Sequence, residues 1–219
     1  MPVARRTWPW AGLLLAAMTL SSAAQPAAVD SAWILERLAR PAPVRTPFVE
    51  LRGSALLKAP LRIEGEYARP DDATLVREVR APYAETTTIR GDEATVAREG
   101  RRPRTFALSR APELAGLQAS FGALLAGDAA ALGRDYGIEA SGAREDWTLV
   151  LVPREAALAT SVRDITLRGR GAELRCIETR PVEGEPQRTL LAGAARAAIA
   201  EGDAADHEAL CRDPGAAAR

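Results

Sequence analysis

The sequence predicts an α+β protein built on one large, curved antiparallel sheet covered by a few helices. Three observations point there. Leu61, Ile63 and Tyr67 alternate with Arg62, Glu64 and Glu66 in the run Leu61–Pro70, the period-2 pattern of a half-buried strand. Further strand-like segments on either side are separated by short turn signals, whereas parallel pairing needs long crossovers. Between the two groups of strands lies one helical stretch. There Leu114, Leu117, Phe121, Leu124 and Leu125 recur at helical spacing after Pro112, which fits a first helical position.

The first two dozen residues read as an export signal. Arg5 and Arg6 form its positive end, and Ala11–Leu20 is an apolar run of about ten residues, too short to span a bilayer. Ser22-Ala23-Ala24 offers a cleavage site before Gln25. The short run favours a cleaved signal over a retained anchor. The residues around Arg5-Arg6 do not support twin-arginine export, and no cysteine follows the run to carry a lipid anchor. The expected division is residues 1–24 as signal peptide, 25–193 as the folded, soluble domain and 194–219 as an Ala-rich tail.

Within the domain, Asp30 or Ser31 can cap a short helix, Ala32–Arg40, with Ile34, Leu35 and Leu38 on one side and Pro41 at its end. A Pro-rich link, Pro41–Pro47, leads into strands at Phe48–Leu57, Leu61–Ala68, Leu75–Arg80, Glu85–Ile89, Thr95–Arg98 and Thr105–Leu108. Gly91-Asp92 and Glu99-Gly100 supply turns between them. Gly127 ends the long helical stretch, and Asp128 can cap a second helix, Ala129–Tyr136. Strands resume at Trp147–Val152, Val162–Arg168, Leu174–Thr179 and Arg188–Leu191. Turns are expected at Arg168-Gly169-Arg170-Gly171 and Glu183-Gly184-Glu185. From Ala192 the Ala-rich chain reads as frayed helix.

Composition narrows the function. The signal takes Arg5 and Arg6 and no acid from 29 basic and 29 acidic residues, leaving 27 against 29, a balance that makes no nucleic-acid footprint. Lys58 is the single lysine, and with Ala also inflated the arginines read as genome composition rather than phosphate recognition. Cys176 and Cys211 would meet an oxidising compartment after export and are a possible disulfide; Cys176 equally suits a small buried hydrophobe.

Catalytic and metal constellations are thin. The single histidine, His207, follows Asp206 in the polar tail, and no Gly-x-Ser-x-Gly elbow occurs. One histidine and two cysteines make a poor metal set. Asp71-Asp72 and Glu145-Asp146 lie beside turn signals, where carboxylates are usually solvated. The expectation is a protein without catalytic residues, metal or cofactor, whose apolar sheet face meets a greasy ligand.

The run Gly65-Glu66-Tyr67-Ala68-Arg69-Pro70 resembles the Arg-Pro strand of the periplasmic outer-membrane lipoprotein carrier (LolA-like) family. Leu75–Pro82 followed by Ile89-Arg90-Gly91-Asp92 resembles that family's next strand and hairpin, although the turn reads Gly-Asp where the family has Asp-Gly. The helical insert, Trp147–Pro153 and Ile165-Thr166-Leu167 follow in the family's order, so the likeness covers roughly residues 32–191 and marks a divergent branch. It implies a periplasmic lipid or lipoprotein carrier: a half-closed barrel with a helical lid over an apolar cavity. Its partners would be acyl chains of a lipoprotein or another lipid, a donor complex at the inner membrane and an acceptor at the outer membrane. A carrier for a glycolipid or pigment lipid, or a lipid-sensing module, remains open.

The resemblance assigns Arg69 to holding the lid by hydrogen bonds to its carbonyls, a task suited to five donors in a planar fork. Candidate lining residues are Leu61, Ile63, Tyr67, Leu75, Val79, Phe106, Leu149 and Leu151 from the sheet and Leu117, Phe121 and Leu124 from the lid. The signal itself is directly testable. The mature protein should begin near Gln25 and be recovered from the periplasm; an intact Met1 on cytoplasmic protein would refute the reading.

Overall fold

The computed structural model describes residues 29–53, 60–110 and 129–212. They form one 11-stranded sheet in the order β6-β5-β4-β3-β2-β1-β11-β10-β9-β8-β7. The strands are β1 Val44–Arg52, β2 Leu61–Asp71, β3 Thr74–Ala81, β4 Glu85–Arg90, β5 Glu93–Arg98, β6 Arg104–Ala107, β7 Tyr136–Ala143, β8 Asp146–Pro153, β9 Val162–Arg170, β10 Glu173–Pro181 and β11 Gln187–Leu191. Five helices accompany them: α1 Ser31–Leu38, α2 Ala129–Asp135, α3 Ala156–Ala159, α4 Ala192–Glu201 and α5 His207–Arg212. Every strand pairing is antiparallel. The sheet curves without closing, and β6 and β7 form its two edges. The predicted α+β fold is therefore the one observed.

Two meanders build this order, and one long-range pairing joins them. β1 pairs with β11 at Phe48↔Leu191, Val49↔Leu190, Glu50↔Thr189 and Leu51↔Arg188. β1 starts at Val44, inside the expected Pro-rich link. Pro47 is tolerated because β11 pairs only from Phe48 onward, so on that side there is no rung to lose. Residues 54–57 of the expected first strand lie outside the described residues, as does the long helical stretch with Leu117, Phe121 and Leu124.

Strand parity defines two faces. Phe48 shares the inner face with Ile63, Gly65, Tyr67, Val79 and Ile89 on one half of the sheet and with Leu149, Leu151 and Leu167 on the other. On the β7–β10 half that face is filled by the chain's own helices. Asp30 caps α1 by accepting from the Trp33 amide at 2.8 Å, and Ile34, Leu35 and Leu38 of α1 pack with Leu132, Trp147, Leu149 and Leu151. Trp147 is fully buried and its Nε1 donates to the Gly171 carbonyl at 3.0 Å. Gly169 is thus not a turn residue, as expected, but a β9 residue beneath Trp147. A Cβ there would lie 2.1 Å from the indole, and the turn falls at Gly171, φ 55°.

On the outer face, α4 and α5 cover β1, β10 and β11. The stretch expected as frayed tail is packed helix, and the boundary at residue 193 falls inside it. Ala194, Ala195 and Ala198 are small enough to seat α4 on Val49, Leu190 and Cys176, and the Cys176–Cys211 disulfide (Cα–Cα 5.2 Å) ties α5 to β10. Arg62 closes the end of α4. Its side chain is 16% exposed, and the guanidinium donates to the carbonyls of Ala198 at 2.8 Å and Gly202 at 2.6 Å and pairs with Glu64. Each carbonyl also accepts a backbone N–H, Ala198 from Gly202 and Gly202 from Ala205, and Arg62 takes up the remaining lone pair of each. His207 sits beside it: Nδ1 donates to the Ala205 carbonyl at 2.9 Å, leaving the Nε2 lone pair facing Arg62 Nη1 at 3.5 Å. Burial, aided by that cation, pushes the His207 pKa below its ordinary value.

These contacts give the C-terminal helices a measurable share of stability. Cys211→Ser should lower the urea-unfolding free energy by roughly 2–4 kcal/mol, the usual worth of a bridge across such a loop. Arg62→Leu should cost about 1–3 kcal/mol by removing the charge-assisted hydrogen bonds to these two carbonyls.

Candidate functional site

The second half of the inner face, on β1–β5, is built differently from the first. Phe48, Ile63, Tyr67, Leu75, Val79, Ile89 and Ala94 form a buried apolar cluster, with Leu61 and Phe106 half-buried against it. The described helices pack elsewhere: α1 against β7, β8 and β10, α2 against β7, α3 against β8 and β9, and α4 and α5 on the outer face. Of the eight sheet residues predicted as lining, Leu61, Ile63, Tyr67, Leu75, Val79 and Phe106 are brought together in this cluster. Leu149 and Leu151 fall instead in the core beneath α1.

The floor of the cluster is set by a close approach. Gly65 lies under the Phe48 ring, and a Cβ at that position would sit 2.8 Å from the ring and 2.0 Å from the Glu78 carbonyl oxygen. Phe48 therefore tilts over β2 and meets Tyr67, ring centroids 4.7 Å apart.

Above this apolar floor lies a charged cluster that the sequence reading missed. Glu50, 6% exposed, accepts at Oε2 from Arg77 Nη2 at 2.6 Å and at Oε1 from Arg52 Nη2 at 2.7 Å and Nε at 3.1 Å. The Arg77 guanidinium, its side chain 13% exposed, stacks over Phe48 with Cζ 4.9 Å from the ring centre. Burial pushes the Tyr67 pKa up, against the pull of Arg77, so the phenol keeps its proton. Parity is the signal that could have found this cluster: Glu50 and Arg52 follow Phe48 at period-2 spacing, and Arg77 stands at the same spacing between Leu75 and Val79.

Arg69 also points to the inner side, pairing in register with Val44. Its side chain is 12% exposed and ion-paired with Asp72 of the following turn. The carbonyls it was expected to hold belong to the helical stretch outside the described residues. Arg62, on the opposite face of β2, is the arginine that grips helix carbonyls among the described residues.

Among the described residues no group of three or more His, Cys, Asp or Glu could hold a metal, and no helix is long and apolar enough to cross a membrane. His207 is engaged under α4. Among the described residues, helices fill one half of the inner face of an unclosed antiparallel sheet, and the other half carries a buried apolar cluster. The chain belongs to the family described as outer membrane lipoprotein carrier protein LolA-like, whose profile matches residues 23–215. Members of that family are carrier or binding proteins rather than enzymes. No curated protein matches the chain. Among solved structures it is similar to the LolA superfamily protein NE2245 from Nitrosomonas europaea, at 13% identity and a TM-score of 0.38 over 75% of this chain and 91% of that one.

The close approach at Gly65 gives a sharp contrast between two glycines. Gly65→Ala should destabilise the protein by at least about 1–3 kcal/mol, the cost of overpacking. Gly133→Ala, in α2 with open space around it, should be neutral or stabilise by up to about 1 kcal/mol. Chemical denaturation of both variants beside wild type checks the pair.

Proposed function

We propose that this protein is a periplasmic carrier. It holds the acyl chains of a lipoprotein or another lipid against the inner face of β1–β5 and moves them from a donor complex at the inner membrane to an acceptor at the outer membrane. The observation that carries this reading is the apolar cluster around Ile63, Tyr67, Leu75 and Val79, on which none of α1–α5 packs. Membership of the carrier family supports it. Burying methylenes is worth about 0.8 kcal/mol each, so two or three chains bind strongly and release without any catalytic group.

In this reading Arg69 holds the covering helical segment over the cavity, and Leu117, Phe121 and Leu124 complete the lining from above. Uptake depends on the apolar face, whereas transfer depends on how readily that cover opens.

Mature protein should take up a fluorescent apolar probe and lose it to long-chain lipid without hydrolysing the lipid. Mass spectrometry of the lipid that co-purifies identifies the cargo. Uptake that lipid cannot displace, or lipid turnover, would exclude a carrier. Arg69→Leu should bind the probe normally but shift the closed-to-open balance about tenfold, since roughly 1.4 kcal/mol of lost hydrogen bonding corresponds to that factor. Arg69→Lys should also be impaired, because an ammonium lacks the planar fork. Arg45→Leu, exposed on the outer face, is the control. Equal release from wild type and Arg69→Leu would remove Arg69 from the mechanism.

A further inference from the structure

The strand register sorts the charges of β1–β6 unequally between the two faces. On the outer face Arg45, Arg62, Arg80 and Arg90 meet five acids of the same strands: four in the pairs Arg45–Glu66, Arg62–Glu64, Arg80–Glu78 and Arg90–Asp71, and Glu93 opposite Arg90 in register. That face neutralises itself. On the inner face the register places five arginines, Arg52, Arg69, Arg77, Arg98 and Arg104. Only two acids, Glu50 and Glu85, share it. Glu85 pairs with Arg98, and Asp72 of the β2–β3 turn pairs with Arg69. Glu50 is divided between Arg52 and Arg77.

The cation excess therefore lies where the apolar cluster is. Its centre is the Glu50 cluster, where two guanidiniums share one carboxylate on a floor of Phe48, Ile63 and Val79. Arg77 is mostly withdrawn from water, and a buried charge is stable only with a partner and saturated hydrogen bonds. Arg52, 48% exposed, carries the remaining positive charge out to solvent. A chain lying on the apolar floor with its polar end toward Arg52 would meet planar donors suited to bidentate binding of an oxyanion.

We propose that the ligand of this face is an amphiphile whose apolar chain ends in an anionic head group, a carboxylate or a phosphate, received by Arg52 and Arg77 beside Glu50. The inference rests on the carrier reading above and adds the ligand's charge and orientation. A neutral amphiphile of the same chain gains the apolar contacts and forgoes the charge-assisted hydrogen bonds.

The test is displacement of a bound fluorescent apolar probe from the mature protein by dodecanoate, dodecyl phosphate and dodecan-1-ol at low ionic strength. At least one of the two anions should displace the probe at a concentration about tenfold or more below that of the alcohol, as charge-assisted hydrogen bonds predict. Whichever anion is stronger tells a fatty-acid head from a phosphate head. Arg52→Gln, at a half-exposed position, should bring the anion-to-alcohol ratio toward one. The double variant Glu50→Gln with Arg77→Gln keeps the pair neutral and should do the same; circular dichroism confirms that it folds. Displacement by all three ligands at one concentration, or an unchanged ratio in Arg52→Gln, overturns the head-group site and leaves the carrier reading intact. Failure to bind the probe or any of the three overturns both.

Discussion

Four rungs between β1 and β11 hold this molecule together as one sheet. Among the described residues every other pairing joins strands that are neighbours in sequence, so each meander is local; of those pairings only Phe48–Leu51 against Arg188–Leu191 connects the first meander to the last. Closing a loop of this length costs entropy that local hairpins do not incur. The seam is accordingly reinforced on both sides. Inside, Phe48 and Leu191 belong to the same apolar cluster; outside, Val49 and Leu190 lie under α4, with Cys176 bridged to Cys211 beside them. The C-terminal helices are thus the brace on the one joint that topology leaves weak.

Much of this was legible beforehand, for reasons tied to particular residues. The alternation at Leu61–Tyr67 assigned both faces of β2 correctly because each apolar residue there faces the core and each charged one the opposite side. Gly91, Gly100 and Gly184 marked their turns because all three adopt positive φ. The edge strand β7 escaped notice because Gly137, Ala140, Ser141 and Gly142 have weak strand preference, and its start at Tyr136 reads as the last residue of a helix. α4 was undervalued because alanines carry little apolar signal, while their worth here is the close approach they permit.

The site was legible in its apolar half only. Ile63, Tyr67, Leu75 and Val79 announce themselves by hydrophobicity, whereas Glu50 and Arg77 lie inside because of register, and register depends on which strands pair. Arg62 shows the same limit from the other side. As a charged residue on the polar face of a strand it reads as solvated, and only the arrival of α4, whose Ala198 lies 136 residues downstream, turns it into a clamp. Long-range partners, rather than local pattern, decide what an arginine does.

The sheet's two unjoined edges, β6 and β7, have a mechanical consequence. A closed barrel has its radius dictated by strand number and shear, and no change of bore is possible without breaking hydrogen bonds. An arc of strands obeys no such closure condition. Its width can breathe through small changes of twist shared over ten interfaces, each well within the normal spread of sheet geometry. Among the described helices, α1, α2 and α3 lie against strands β7–β10, so the backing they give is all on one side of the arc.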